Sequence, residues 1–208
     1  MRSVNFSIAV DGPSSSGKGT LAVGLANYYN LPYLDTGAMY RSFAALVMEK
    51  LIDPQDKLSV INLAKTFQYN LSSIRNSSED VARVASMVSA IPDVRDIFVK
   101  WQRSFSKDGA VLDGRDIGSV ILKDASYKFY ITADLSIRAQ RRFNELKVKN
   151  IDCDLDSIML LLKQRDENDL NRLVAPLKIS DDAVVIDASH LTSEEVLNFA
   201  IKSIQSKD

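Results

Sequence analysis

The chain has 208 residues, 46% hydrophobic and 25% charged, which supplies enough apolar material for a sizeable core in an ordinary globular protein. Its 26 basic and 27 acidic side chains leave a formal net charge of -1 and a pI near 5.9, so neither nucleic acid nor an anionic membrane is an expected partner. One cysteine, Cys153, and one histidine, His190, exclude an intrachain disulfide, a Cys/His zinc cage and most histidine-based triads. The chemistry left to the chain is that of Lys, Arg, Asp, hydroxyls and a borrowed metal.

The stretch from Met1 to Val10 carries no long apolar segment and no small-residue cleavage site, and no later window has the length of a membrane span, so a cytoplasmic protein is expected. Phe6 to Val10 is a short apolar run ending in Asp11-Gly12-Pro13, a buried strand followed by a turn. A helix is predicted from near Lys18 to about Asn30, with Leu21, Leu25 and Tyr28 on its buried face and Pro32 beyond its end. Pro32 to Leu34 is a second candidate strand, and Gly37 to Leu51 a helix burying Tyr40, Phe43, Ala44, Val47 and Leu51.

From Ser59 to Phe105 the chain turns polar, rich in Ser and Asn over Ser72 to Ser78, then helical through Val81, Val84, Ala85 and Val88, in the manner of an insertion rather than core. Ala110 to Leu112, Tyr127 to Thr132 and Ala183 to Ile186 are further strands, each leading into a helical pattern, which predicts a parallel sheet. Thr192 followed by Glu195 predicts a capping box at the start of a last helix that packs Val196, Ala200 and Ile204. There is no internal repeat and no low-complexity tract.

Gly12-Pro13-Ser14-Ser15-Ser16-Gly17-Lys18 fits the phosphate-binding loop pattern and stands between a predicted strand and a predicted helix. Glycines let successive backbone N–H groups turn toward one anion, the helix start adds positive charge, and Lys18 reaches the outer phosphates. Gly19 follows Lys18, and the hydroxyl comes next, at Thr20. The competing reading is a flexible Gly/Ser turn with a solvated lysine.

Asp35-Thr36-Gly37-Ala38-Met39-Tyr40-Arg41 puts a hydroxyl and a glycine at a helix start and an arginine one turn inside, an arrangement that suits a monophosphate. An ordinary cap at Asp35 or Thr36 competes with it. Asp113-Gly114-Arg115-Asp116 follows a strand, at the sheet end where open α/β sheets bind ligands. Asp113 is a candidate for holding Mg2+ through water, Arg115 for binding phosphate and Asp116 for accepting hydrogen bonds from a nucleoside; a turn with an internal ion pair is the alternative. Arg138, Arg141 and Arg142 share one predicted helix face, either as an anion site or as a solvated basic face balanced by Glu145. The charges from Arg165 to Arg172 taken alone suggest a salt-bridged helix end.

The segments GPSSSGKGT, LDTGAMYR, DGRDIG, RDENDLNR and VAPL, in this order over nearly the whole chain, closely resemble the bacterial-type cytidylate kinases, which are phosphate-loop nucleoside monophosphate kinases. The resemblance implies an α/β fold with a five-stranded parallel sheet flanked by helices, an inserted monophosphate-binding region and a small helical lid. Core residues would be about 1–35, 107–141 and 173–208, the monophosphate-binding region about 36–106 and the lid about 142–172. ATP would be held by Gly12, Pro13, Ser14, Ser15, Ser16, Gly17, Lys18, Gly19 and Thr20, with Mg2+ near Thr20 and Asp113.

The acceptor, CMP or dCMP, would be bound by Asp35, Thr36, Tyr40, Arg41, Ser86, Arg95, Arg115, Asp116, Asp169 and Arg172, the last two on the sugar hydroxyls. Ser86 and Arg95 rest on the less specific stretch from Ser86 to Arg95. Lys18, Arg115, Arg141 and Arg165 would stabilise the transferring phosphoryl group in a monomeric enzyme. An adenylate kinase is the nearest alternative, although its Asp-Gly-Phe-Pro-Arg motif is replaced here by Asp113-Gly114-Arg115-Asp116. A phosphate-loop switch without a small-molecule acceptor is the other, and the chain lacks the guanine-reading Asn-Lys-x-Asp motif.

Overall fold

Five short apolar runs become the strands of one parallel sheet in the computed structural model, which describes residues 6–70 and 78–206. In chain order the elements are β1 (Ile8–Asp11), α1 (Lys18–Tyr29), β2 (Tyr33–Asp35), α2 (Thr36–Glu49), α3 (Lys57–Thr66), α4 (Glu79–Ser89), α5 (Pro92–Phe105), β3 (Val111–Gly114), β4 (Tyr127–Thr132), α6 (Leu135–Val148), α7 (Leu155–Asn171), β5 (Val184–Asp187) and α8 (Ser193–Gln205). A π-helical turn, Ile117–Ile121, follows β3. The sheet order is β2-β3-β1-β4-β5, with Ile8 opposite both Val111 and Tyr127 in parallel register. Central β1 and β3 are buried on every residue, the pattern of strands covered on both faces.

The chain divides into two compact units. The first takes the residues up to Tyr33 and those from Asp108 onward. Its core joins Ile8, Val10, Phe129 and Ile131 of the sheet to Leu21, Leu25 and Tyr29 of α1 and to Val196, Ala200 and Ile204 of α8. The buried stripe of α1 centres on Ala22, Leu25 and Tyr29, so the expected Tyr28 falls at its margin and is 53% exposed. Asn30, at φ 54, ends α1 ahead of Pro32. At α8 the capping box forms as expected, with Thr192 accepting from the Glu195 amide and Glu195 accepting from the Thr192 amide.

The second unit, Leu34–Lys107, has a core of its own. The polar stretch read as an insertion folds into amphipathic helices whose apolar stripes, Val81, Val84, Ala85 and Val88 on α4 and Val94 and Phe98 on α5, are buried with Met39, Phe43 and Val47 of α2. Phe43 sits at the centre, its ring centroid 5.1 Å from Phe98 and 5.2 Å from Phe67. The expected Leu51 takes no part: α2 stops at Glu49, and Leu51 is 92% exposed at φ 54 in the following turn. Of the Ser- and Asn-rich run, the residues before Ser78 lie outside those described, as do the first five of the chain. Among the described residues, no helix is long and apolar enough to cross a membrane.

Phe43→Ala removes the ring around which the second core is packed. Its expected effect is a loss of about 3 to 5 kcal/mol of unfolding free energy, measured by urea denaturation followed through Trp101 fluorescence.

Candidate active site

The phosphate loop occupies the C-terminal end of β1. Gly12 has to be glycine because a Cβ there would run into the main-chain carbonyl of Ile131 on β4. Ser15 and Gly17 take left-handed conformations, φ 59 and 97, and Gly17 then caps α1, whose first residue is Lys18. The loop is braced from outside by three arginines. Arg115 Nη2 donates to Ser14 Oγ at 2.7 Å, Arg138 Nη1 to the Ser14 carbonyl at 3.3 Å and Arg141 Nη1 to the Ser16 carbonyl at 3.2 Å. Lys18 Nζ donates to the Pro13 carbonyl of the same loop at 3.2 Å. Ser16 Oγ is fully buried with no hydrogen-bond partner among the described residues, the kind of orphan that a bound anion or water satisfies.

Next to the loop lies a cavity of about 430 Å3. Ser15, Ser16, Gly17 and Thr20 form one side; Arg142 and Glu145 of α6, together with Ala188, Leu191 and Thr192 after β5, form others. Thr20, exposed, faces this cavity. Arg141 bridges its two walls by donating also to the Ala188 carbonyl at 2.6 Å. The sequence offered only the capping-box role for Thr192 and a balancing charge for Glu145. Thr192 reaches the cavity because β5 lies two strands from β1, and Glu145 because α6 follows β4 beside β1, placements that no local pattern reveals.

The segment after β3 is held by a residue that motif matching passed over. Asp11, 4% exposed, accepts from the Ile117 and Gly118 amides, both at 2.8 Å. Burial pushes the Asp11 carboxyl up from 3.8 to about 6 against these two hydrogen bonds, with Asp116 adding to the rise and Arg115 opposing it. From the same turn, Arg115 Nε donates to Asp169 Oδ2 at 2.5 Å, and Asp116 Oδ1 accepts from Arg172 Nη2 at 3.3 Å. Burial opposes the charge on Arg115, and the carboxylates of Asp169, Asp113 and Asp166 outweigh it, raising its pKa. Burial would likewise raise Asp169, but Arg115, Arg172 and Arg165 hold it below the usual carboxylate range.

The charges from Arg165 to Arg172 therefore form cross-links rather than a self-contained helix end. Asp166 pairs with Arg138 at 2.6 Å, Asp169 with Arg115 and Arg172 with Asp116. Arg172 Nε also reaches the carbonyl of Ala175, where a left-handed residue, φ 50, turns the chain of the VAPL segment. Arg165 is exposed. The three arginines of α6 do not share one ligand: Arg138 is buried against Asp166, Arg141 binds carbonyls, and only Arg142 makes the expected pair with Glu145, at 2.9 Å.

Asp113 Oδ1 accepts from the Tyr33 hydroxyl at 2.8 Å. A Cβ placed on Gly19 would lie 3.8 Å from Asp113 Oδ2, so the room left by the missing side chain after Lys18 is bordered by this carboxylate. Among the described residues, no group of three or more Asp, Glu, His or Cys could hold a metal unaided. One carboxylate beside a phosphate loop is a donor set that suits Mg2+, which keeps several waters and is completed by substrate phosphates.

In the second unit Asp35 caps α2, accepting from the Ala38 amide at 2.7 Å, and its other oxygen accepts from Arg41 Nη2 at 3.1 Å. The ordinary cap and the arginine of the sequence pattern thus coexist. Thr36 is buried, and Tyr40 stacks obliquely on Phe98 with centroids 5.1 Å apart. Tyr69, not singled out in the sequence, is electrostatically coupled to the pair: its hydroxyl is pushed above 10 by burial and then by the Asp35 carboxylate, with Arg41 opposing. Arg95 is buried and donates to the Ser89 carbonyl at 3.3 Å, while Ser86 is exposed on α4.

The family model described as cytidylate kinase matches residues 8–206. A cytidylate kinase of Bartonella henselae is 40% identical over 94% of this chain and 92% of its own length, and one of Clostridium botulinum strain Loch Maree is 40% identical over 99% and 100%. A cytidylate kinase of Bartonella bacilliformis is 43% identical over 91% and 90%. Among solved structures, a gluconokinase from Sinorhizobium meliloti 1021 superimposes with a TM-score of 0.55 at 14% identity, covering 99% of this chain and 95% of that one, a likeness of fold alone.

A raised Asp11 pKa means that the native state binds this proton more tightly than the unfolded chain does, so its stabilising effect is present below pH 4 and is lost as pH rises through 6. Asn does not titrate. The unfolding free energy of Asp11→Asn relative to the parent should therefore rise between pH 4 and pH 7, by roughly 3 kcal/mol, in denaturant titrations at each pH.

Proposed function

The chain belongs to the cytidylate kinase family, and from that premise we propose that it transfers the γ-phosphoryl group of ATP to CMP or dCMP, releasing ADP and CDP or dCDP. The observation that carries this reading most directly is the Arg115 side chain, which ties the phosphate loop at Ser14 to the RDENDLNR motif at Asp169. Segments that no local rule connects converge on one guanidinium. The proposed setting is the cytoplasm, with the chain acting as a monomer.

ATP enters with its triphosphate on Gly12 to Thr20, and its base and sugar have room in the cavity between Arg142, Leu191 and Thr192. Lys18, whose ammonium donates to the Pro13 carbonyl, turns to the outer phosphates when ATP is bound. Mg2+ would be held by the donor phosphates beside Asp113 and Thr20 and would neutralise charge as the phosphoryl group moves. The acceptor phosphate is assigned to Arg41, which exchanges Asp35 for it, together with Thr36 and Tyr40. The nucleoside is assigned to Ser86, Arg95, Arg115, Asp116, Asp169 and Arg172. The last four are paired with one another, so sugar hydroxyls and base edges replace bonds already made and meet charges already aimed.

The acceptor-phosphate oxygen attacks the γ-phosphorus in line and the bond to the β-phosphate oxygen breaks, with positioning and charge stabilisation carrying the catalysis. Arg115, Arg141 and Arg165 are assigned to the transferring group. Arg141 reaches it from a fixed position, since two carbonyls hold its guanidinium, and Arg165 from the exposed side of α7. Residues 142–172 form the proposed lid and residues 36–106 the acceptor region, and exclusion of water under the lid suppresses ATP hydrolysis.

A coupled assay of ADP formation with Mg2+-ATP, comparing CMP, dCMP, UMP, AMP and GMP, tests this reading. Rapid turnover is expected only with the cytidine nucleotides, and Lys18→Ala should reduce it by about a hundredfold or more. Turnover with AMP alone, or hydrolysis independent of any acceptor, would replace the assignment. Asp169→Asn should raise the KM for CMP by about tenfold, the worth of one charged hydrogen bond, while the KM for ATP changes little.

A further inference from the structure

We propose that Asp11 is a positioning residue for the acceptor side of the reaction, its carboxylate setting the turn after β3 so that Arg115 and Asp116 face the acceptor nucleotide. The inference rests on the activity proposed above and adds a residue outside the motif roles assigned to that family.

The geometry is specific. Both carboxylate oxygens are used, one on the Ile117 amide and one on the Gly118 amide, each at 2.8 Å and each from a residue more than 100 positions away. These amides open the π-helical turn Ile117–Ile121, where the first N–H groups have no partner within the turn itself. Asp116, immediately before them, takes φ -142 and ψ 26, a conformation outside both helix and strand. Arg115 and Asp116 leave that bend toward Asp169 and Arg172. Two adjacent amides fixed by one bidentate acceptor define the orientation of the peptide plane that precedes them, and that plane joins Asp116 to Ile117.

A requirement of the fold alone would be met differently. A neutral acceptor at this position would satisfy an amide without burying a charge beside Asp116, and an apolar residue would extend the covered strand Ile8 to Val10. The chain instead places a carboxylate there, 4% exposed, next to Gly12, where it must avoid the phosphate loop and serve the neighbouring turn. The charged groups around it are Asp116 and Arg115 from that turn, and the neutral Tyr130 hydroxyl from β4 is the further titratable group facing it. Among the described residues, both side-chain bonds of Asp11 go to this turn.

Asp11→Asn in the full chain separates the two roles, because one amide oxygen still accepts while the NH2 group faces an N–H. The expected result is a rise of about tenfold or more in the KM for CMP, a KM for ATP changed less than twofold, and an unfolding midpoint at pH 7 within about 5 °C of the parent. Amide hydrogen exchange supplies a second readout independent of turnover: Ile117 and Gly118 should exchange faster in the variant, and Leu21 at the start of α1 should not. Equal rises in both KM values with a lowered midpoint would assign Asp11 to the fold alone and overturn the proposal, as would unchanged CMP kinetics. If Asp11→Asn does not accumulate as folded protein, Asp11→Ser, smaller and with one acceptor oxygen, carries the same comparison. Absence of CMP-dependent turnover in the parent chain would sink the assigned activity, and the exchange rates would still decide whether Asp11 sets the turn.

Discussion

The guanidinium of Arg115 is the constraint from which the arrangement of the first unit follows. It is mostly buried, at 15% side-chain exposure, and a charge so placed is stable only when its donors are matched. Ser14 matches it on the phosphate loop and Asp169 on α7, so the start of the nucleotide-binding helix and the end of α7 are registered against the same five donors. Removing either acceptor leaves a buried cation undercompensated.

A second tier of pairs extends this logic. Arg138 to Asp166 and Arg172 to Asp116 flank the Arg115 pair, and all three join α7 or its end to segments at the C-terminal edge of the sheet. Open α/β sheets bind ligands at that edge because helix starts and strand ends deliver main-chain amides and short loops there. Here the edge is also rich in guanidinium groups, which suit phosphate oxygens geometrically as well as electrically. The cavity beside the phosphate loop differs in character: past Arg142 and Glu145 its wall is aliphatic and hydroxylic, Ala188, Leu191, Thr192 and Val196.

Much of this was legible in the sequence, for reasons that can be named. Strands such as Ile8–Asp11 announce themselves because a strand covered on both faces is largely apolar, and the phosphate loop because its glycines answer to steric demands. The Thr192 to Glu195 box is local and therefore readable. Periodicity set the buried stripe of α1 about one residue out, since Tyr28 and Tyr29 are chemically alike and only the sheet decides between them. It also grouped Arg138, Arg141 and Arg142, because spacing tells which side chains share a face and says nothing of partners at Asp166, Ser16 or Ala188. Asp11 stayed hidden for the same reason: its partners, Ile117 and Gly118, are main-chain groups more than 100 residues away, and main-chain groups leave no letter in the sequence.

The second unit is one uninterrupted stretch with its own aromatic core. Substitutions at Phe43, Phe67, Tyr69, Phe98 or Trp101 change side chains whose ring contacts lie within that stretch. In evolutionary terms, a change at one ring of this aromatic cluster can be compensated by a change at another within the same stretch of chain.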